Sequence, residues 1–272
     1  MTISAAHMHE DTHIDWSSLT PGTFWVTADK VQDDTLSQAT EMFSALETVN
    51  EKALKEILIQ YRYFTVYYIT DLALLIAGME DSPMRSFLAD ILYDELGCGK
   101  ADGAHPRLYD NFLSSIGVRD PDLNALALRN NIELLDDARR HLVAAENGSD
   151  YGVGLRGMGG ECVCQIYIAQ LHQHLIQNPY VRENYNDIDW RFWDLHVGDH
   201  DIEHREKTRA LIDSEVVAKG GDGLKRLGLG YGYSMKSWKQ FWINIFELAR
   251  QGTAAATTPR GSVKGAVSLH IN

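Results

Sequence analysis

The chain has 272 residues, of which 44% are hydrophobic, and a formal net charge of −13. This composition is typical of a globular protein with a buried core, and the negative charge argues against binding to nucleic acid or to anionic membranes. No run approaches the roughly 18 apolar residues of a membrane span, and the first residues lack the pattern of a signal peptide. We therefore expect a soluble, cytoplasmic protein.

The spacing of apolar residues predicts an all-α chain. Residues 1–33 show no sustained periodicity and are expected to form a partly disordered N-terminal arm. Apolar residues then recur every three to four positions in several segments, so that helices are predicted for Thr35–Asn50, Lys52–Met79, Met84–Leu96, His105–Gly117, Asn124–Glu146 and Leu155–Ile176. The second of these is hydrophobic on more than one face and should be central and buried.

The second half of the chain contains two glycine-rich segments, residues 152–160 and residues 220–232. Residues 152–160 contain five glycines, but no strand precedes them and no Gly-Lys-Ser/Thr follows, which argues against a phosphate loop. We expect these small residues to let helices pack closely. Residues 220–232 are predicted to form a loop before a last helix from Met235 to Ala249, and residues 251–272 a flexible tail. The prediction is one bundle of seven or eight helices over residues 34–250.

The stretch from Phe192 to His204 carries the strongest indication of chemistry. Within one predicted helix that runs to about Ala218, three histidines recur every four residues, namely His196, His200 and His204. Residues four apart lie on one helix face, so this spacing is typical of a row of metal ligands, although a solvated charged face has a similar pattern.

Two acidic residues elsewhere stand in apolar or small-residue surroundings. They are Glu95 and Glu161. Burying a carboxylate is unfavourable unless it is paired or coordinates a cation, so both are candidate metal ligands. The alternative is that they cap helices or pair with arginines such as Arg107 or Arg156. Together with the histidines, they could form a dinuclear metal site in the core of a bundle.

These residues resemble the haem-oxygenase-like di-iron oxidases and oxygenases, all-α enzymes that share the fold of haem oxygenase and of the TenA and PqqC proteins. The resemblance covers about residues 34–250. It rests on Gln60-Tyr-Arg-Tyr-Phe, on the segment Asp94–Tyr109, on Glu161 and on the three histidines. Its most specific part is Glu95 followed ten residues later by His105, a spacing that some members use for two iron ligands.

The sequence departs from the family pattern in two places. The late helix of the family has His-x-x-x-Asp-x-x-His, whereas here one extra residue lies between His196 and Asp201, an insertion that is typical of a π-bulge. The family's first glutamate falls near Thr70, and Asp71 is the nearest substitute. The resemblance thus implies the ligands Glu95, His105, Glu161, His196, Asp201 and His204, with Asp71 as a further candidate and His200 as a competitor of Asp201.

The resemblance also implies an activity. We expect two Fe(II) ions, O2 as cosubstrate, an optional external electron donor, and oxidation of a small amino-acid- or amine-derived metabolite in a biosynthetic pathway, by N-oxygenation or oxidative C–C cleavage. A homodimer is also expected. The substrate pocket should lie beside the irons, and its candidate residues are Tyr61, Tyr67, Tyr68, Tyr167, Trp190 and Trp193.

Two alternatives remain at this point. One is a metal-independent enzyme of the TenA or PqqC kind with the same fold, which would not need the predicted ligands. Another is a non-catalytic metal-binding bundle. Haem oxygenase itself requires a proximal histidine on its first helix, and the predicted first helix has none.

Overall fold

The computed structural model describes residues 14–119 and 127–250, except for the side chains of residues 40, 199–201, 249 and 250. All regular elements in these ranges are helices, which confirms the all-α prediction. The helices are α1 (Pro21–Phe43), α2 (Glu51–Gly78), α3 (Pro83–Glu95), α4 (His105–Ser115), α5 (Arg129–Val143), α6 (Gly148–Gly152), α7 (Cys164–Leu175), α8 (Pro179–Glu183), α9 (Arg191–Val197), α10 (Asp199–Ile212) and α11 (Gly221–Arg250). Two segments are π-helical, Val153–Glu161 after α6 and Asp213–Val217 after α10. Among the described residues, no helix is both long enough and apolar enough to cross a bilayer.

Side-chain caps set where α2 and α3 begin. The Asn50 side chain accepts a hydrogen bond from the backbone N–H of Ala53, and the Ser82 side chain accepts one from Arg85. Pro83 follows at the first helical position, where its missing N–H has no consequence. A cap of this kind stabilises a helix by about 1 kcal/mol.

Helix α2 lies at the centre of the bundle, as its sequence predicted. It packs against α3, α4 and α5. Its buried apolar residues come from several faces and are Ala53, Leu54, Ile57, Leu58, Ile59, Tyr61, Leu72 and Leu75. Side chains from its central turns, including Tyr61 and Thr65, are therefore buried, whereas Val66 is exposed.

The first long helix begins earlier than the sequence suggested. Helix α1 starts at Pro21 and therefore crosses the boundary at residue 34 that we predicted between an arm and the helical domain. Phe24 and Ala28 are fully buried one turn apart in its first half. The polar residues that follow, such as Asp29, Lys30 and Asp33, masked this short periodicity, and contacts with α11 stabilise the segment.

The predicted loop at residues 220–232 is wrong, because this segment forms the first turns of α11. A Cβ atom on Gly230 would lie 2.1 Å from the carbonyl oxygen of Tyr151, and one on Gly154 would lie 2.1 Å from that of Leu227. The glycines therefore let α11 approach both α6 and the π-helical segment backbone to backbone. Each glycine lowers helix stability by about 1 kcal/mol relative to alanine, and the close packing offsets this. The same contacts confirm the expected role of the glycines at residues 152–160.

The late histidine stretch is divided between two helices. Helix α9 ends at Val197 and α10 starts at Asp199, with Gly198 in extended conformation between them. The extra residue that we expected to form a π-bulge is accommodated by this break. His196 and His204 consequently lie on different helices, which corrects the prediction of one continuous helix.

Candidate metal centre

A tight turn brings Glu95 and His105 together. Glu95 ends α3 and His105 begins α4. Between them, Gly97 and Gly99 have φ angles of 81° and 80°, which glycine adopts without strain. A Cβ atom on Gly97 would lie 2.3 Å from the carbonyl oxygen of Lys100. The turn places His105 Nδ1 3.0 Å from Glu95 Oε2, which explains why these residues occur ten positions apart.

His196 completes a group of three, which we call the Glu95 cluster (Glu95, His105 and His196). The imidazole rings of His105 and His196 lie 4.8 Å apart. His196 Nδ1–H donates to the carbonyl oxygen of Phe192 at 2.7 Å, which fixes the ring and makes Nε2 its ligand atom. One ligand atom from each residue of the cluster lies within 4.8 Å of the other two.

The charge states of the cluster suit a metal ion. Burial, together with the charge of His105, lowers the pKa of His196 to about 4. Burial alone would raise the pKa of Glu95, but the charge and hydrogen bond of His105 outweigh it and hold that pKa below its usual value. His196 is therefore neutral and Glu95 ionised at neutral pH, as metal ligation requires.

A second pair of candidate ligands consists of Glu161 and His204, which we call the Glu161 pair. Glu161 is buried at the end of the π-helical segment Val153–Glu161, and His204 extends from α10. Glu161 Oε2 lies 3.9 Å from His204 Nδ1, and the Tyr68 hydroxyl donates to Glu161 Oε1. π-helical turns are rare in proteins, and those that occur are often found at functional sites.

Both groups line the same cavity. Its volume is about 540 Å³ including the open space at its mouth. The lining residues are Tyr61, Phe64, Thr65, Tyr68, Glu95, His105, Gly160, Glu161, Cys164, Tyr167, Ile168, Phe192, His196 and His204. Five of the predicted ligands thus meet at one cavity. The side chains of His200 and Asp201 lie outside the described residues, and their roles stay predictions.

Asp71 has a different environment from the one expected. It is fully buried, and Arg139 Nε donates to its Oδ1 at 2.7 Å. Arg156 donates to Oδ2 from Nε at 2.9 Å and from Nη2 at 2.6 Å. Asp71 is absent from the cavity lining. Its expected role as a metal ligand is therefore corrected to that of a buried ion-pair partner.

Three of the six predicted pocket residues line the cavity, namely Tyr61, Tyr68 and Tyr167. The other three contact different parts of the protein. The Tyr67 hydroxyl donates to Asp136, and Trp190 Nε1 donates to the carbonyl oxygen of Tyr185. Trp193 is fully buried, with its ring 5.2 Å from that of Phe112. Trp193 belongs to the core, and Tyr67 and Trp190 are partly buried and pack against it.

The sequence interpretation missed several lining residues. Phe64 and Thr65 lie between Tyr61 and Tyr68 on the same face of α2, and Phe192 lies one turn before His196. Helical spacing from the predicted residues would have identified these three. Cys164 also lines the cavity, and it follows Glu161 by three positions.

Comparison with known proteins agrees with this architecture. A family model described as an iron-containing redox enzyme matches residues 55–219, more than half of the chain. A solved domain of unknown function with a haem oxygenase-like fold, from Shewanella denitrificans OS217, is similar with a TM-score of 0.64 and 15% identity, covering 90% of this chain and 100% of that chain. At this identity the likeness shows the fold alone, which is haem oxygenase-like as predicted. No curated protein sequence matches.

Proposed function

The chain belongs to the family of iron-containing redox enzymes, and we propose that within this family it is an O2-dependent non-haem di-iron oxidase or oxygenase. Its substrate in this proposal is a small amine- or amino-acid-derived metabolite, which it oxidises by N-oxygenation or C–C cleavage. The observation that carries the proposal is the presence of two groups of imidazole and carboxylate ligands on one cavity.

The Glu95 cluster fits one iron ion. At metal–ligand bonds of roughly 2.0–2.2 Å, two ligands of one ion lie roughly 3–4.4 Å apart. The ligand atoms of the cluster lie within 4.8 Å of one another, so side-chain shifts of a few tenths of an ångström would be sufficient. The hydrogen bond from His196 to the Phe192 carbonyl is the type of outer contact that orients metal-bound imidazoles.

The Glu161 pair would hold the second ion. Its 3.9 Å separation between Nδ1 and Oε2 lies within the same range. The resemblance implies Asp201 as a further ligand there. Imidazole and carboxylate ligands with open positions suit Fe(II), which when bound supplies the reduction of O2. Helix α1 has no histidine along its whole length, so it does not supply the proximal ligand by which haem oxygenase holds haem.

The walls of the cavity would bind and orient the substrate. Tyr61, Phe64, Tyr167, Ile168 and Phe192 present apolar and aromatic surface that would exclude water from the reacting groups. No lysine or arginine is among the described residues that line the cavity. A free amino acid would place its carboxylate there without a lysine or arginine to pair with it. The lining therefore favours an amine over a free amino acid.

An anaerobic Fe(II) titration of the purified, metal-free protein tests the proposal. We expect two bound ions in the unaltered protein, fewer in Glu95→Ala and His204→Ala, and a transient visible absorption after O2 is admitted. The matched control is His174→Ala, because His174 Nδ1 contacts Glu47 Oε1 at 2.7 Å away from the cavity. Iron binding at background level, or an unchanged count in the Glu95→Ala/His204→Ala double variant, would contradict the proposal.

The same measurement separates the alternatives. A metal-independent enzyme of this fold would bind no iron and would turn over its substrate in the presence of a chelator. A metal-binding bundle without catalysis would bind iron but give no transient with O2. A turnover screen of small amines, with amino acids as the comparison set, would then identify the substrate class.

A further inference from the structure

Tyr68 makes the contact between α2 and a candidate ligand. We infer that Tyr68 is a positioning residue for Glu161, and that its hydrogen bond fixes the carboxylate so that Oε2 is presented to a metal ion shared with His204. The inference deepens the proposed function and rests on it, because it presupposes an ion at the Glu161 pair.

The two oxygens of Glu161 have different partners. The Tyr68 hydroxyl donates to Oε1, whereas Oε2 is the oxygen that lies 3.9 Å from His204 Nδ1. A carboxylate that accepts a directional hydrogen bond on one oxygen has a restricted side-chain rotation, so its other oxygen has a defined position. Contacts of this kind orient metal ligands, and their loss weakens metal binding.

Gly160 makes room for this contact. A Cβ atom at position 160 would lie 2.6 Å from Tyr68 Cε2 and 2.8 Å from its hydroxyl oxygen. The backbone of Gly160 is not in the left-handed region, so space rather than conformation requires glycine here. The residue before the candidate ligand is thus shaped to admit the tyrosine that bonds to the ligand. Two separate elements, α2 and the π-helical segment, are adapted to the same hydrogen bond.

The cavity-facing side of α2 consists of Tyr61, Phe64, Thr65 and Tyr68 within the described residues. None of these is a carboxylate, and Asp71, less than one turn beyond Tyr68, pairs with two arginines. Helix α2 therefore influences the candidate ligands through the hydroxyl of Tyr68 and does not supply a carboxylate ligand.

Anaerobic Fe(II) titration of four proteins tests the inference, with the affinity of each ion measured separately. They are the unaltered protein, Tyr68→Phe, Gly160→Ala and the control Tyr67→Phe. Tyr67 is the adjacent residue, and its hydroxyl also donates to a carboxylate, that of Asp136 at 2.7 Å, but it does not line the cavity. We expect Tyr68→Phe to weaken the second ion roughly 10–100-fold and to leave the first ion unchanged. The control should leave both ions unchanged.

Gly160→Ala should reproduce this selective loss, since a methyl group at position 160 would displace the ring of Tyr68. Because both substitutions act on one hydrogen bond, the Tyr68→Phe/Gly160→Ala double variant should weaken the second ion no further than the stronger single variant. Circular dichroism would show that each variant keeps its helices.

The affinities of the two ions in Tyr68→Phe decide whether Tyr68 positions Glu161. Equal loss of both ions in Tyr68→Phe would indicate a merely structural role and would overturn the inference, as would an unchanged or tighter second ion. If the unaltered protein binds two ions and Tyr68→Phe does the same with equal affinity, the inference fails while the proposed function stands. If the unaltered protein holds no second ion, the di-iron proposal fails and the inference fails with it.

Discussion

Asp71→Asn distinguishes a buried ion pair from a metal ligand. The substitution keeps the size of the side chain but removes the charge that faces Arg139 and Arg156. Asp71 is 0% exposed, and the side chain of Arg156 is 6% exposed. Removing one partner of a buried pair costs about 3–5 kcal/mol because the other charge is left without compensation. The Arg139 side chain is 29% exposed and can regain water, so we expect a loss near 3 kcal/mol.

The free energy of unfolding of the metal-free protein is the quantity to measure. Urea denaturation followed by circular dichroism, with a chelator present at neutral pH, should show this loss, which is a large fraction of the roughly 5–15 kcal/mol of a typical protein. Asp110→Asn is the matched control. Asp110 pairs with Arg62, but both side chains are 23% exposed, so water compensates and the loss should be about 1 kcal/mol.

The iron count of the folded variant completes the test. We expect Asp71→Asn to bind as much iron as the unaltered protein, because its carboxylate is engaged by arginines. A variant that unfolds like the unaltered protein but has lost an ion would refute this reasoning and restore Asp71 as a ligand.

Three further predictions concern the cluster, the glycines and the metal. Burial lowers the pKa of His196 from 6.5 to about 4 in the folded metal-free chain, so between these pH values the unfolded chain binds a proton that the folded chain does not. The free energy of unfolding should therefore fall by up to about 3 kcal/mol as the pH falls through this range. Urea denaturation at both ends should show this loss, and His196→Gln should reduce it; an equal loss in the variant would contradict the assignment. Gly230→Ala places a Cβ atom 2.1 Å from the Tyr151 carbonyl oxygen, whereas Gly78→Ala meets nothing within 4 Å. Thermal denaturation should show a loss of at least about 2 kcal/mol for the first and less than about 1 kcal/mol for the second, and equal effects would argue against the close approach of α11. Anaerobic Fe(II) at 100 times its dissociation constant should stabilise the fold by about 2.7 kcal/mol per ion, and an unchanged unfolding midpoint would argue against a specific site.

Local spacing predicted the parts of the fold and site that local geometry determines. Glu95 and His105 come together because one turn with two glycines joins their helices, and the residues from Glu95 to His105 contain the whole of that turn. The central position of α2 followed from its apolar faces. The early start of α1 and the helical conformation of residues 220–232 depend on contacts with distant elements. A sequence pattern does not contain those contacts, so the polar and glycine-rich segments were misinterpreted.

The environment of each acidic residue was equally hard to foresee. Asp71 and Glu161 both lie in the interior. The sequence alone does not indicate which of them pairs with an arginine. The arginines that pair with Asp71 are 68 and 85 residues away in sequence. Only the packing of α2 against α5 and the π-helical segment brings them together.

The partners of these three acids, Asp71, Glu95 and Glu161, explain why one is structural and two are suited to a metal. Asp71 faces guanidinium groups, which keep their charge at any physiological pH, so its charge is balanced within the chain. Glu95 and Glu161 instead face imidazoles, and Glu161 also faces a neutral phenol. An imidazole is a metal ligand once it has lost its proton, and His196 is already neutral at neutral pH because burial and His105 lower its pKa to about 4. Glu95 and Glu161 thus lie beside groups that can themselves bind a metal ion, and a cation supplied from solution would stabilise their charges. This favours iron binding at the Glu95 cluster and the Glu161 pair.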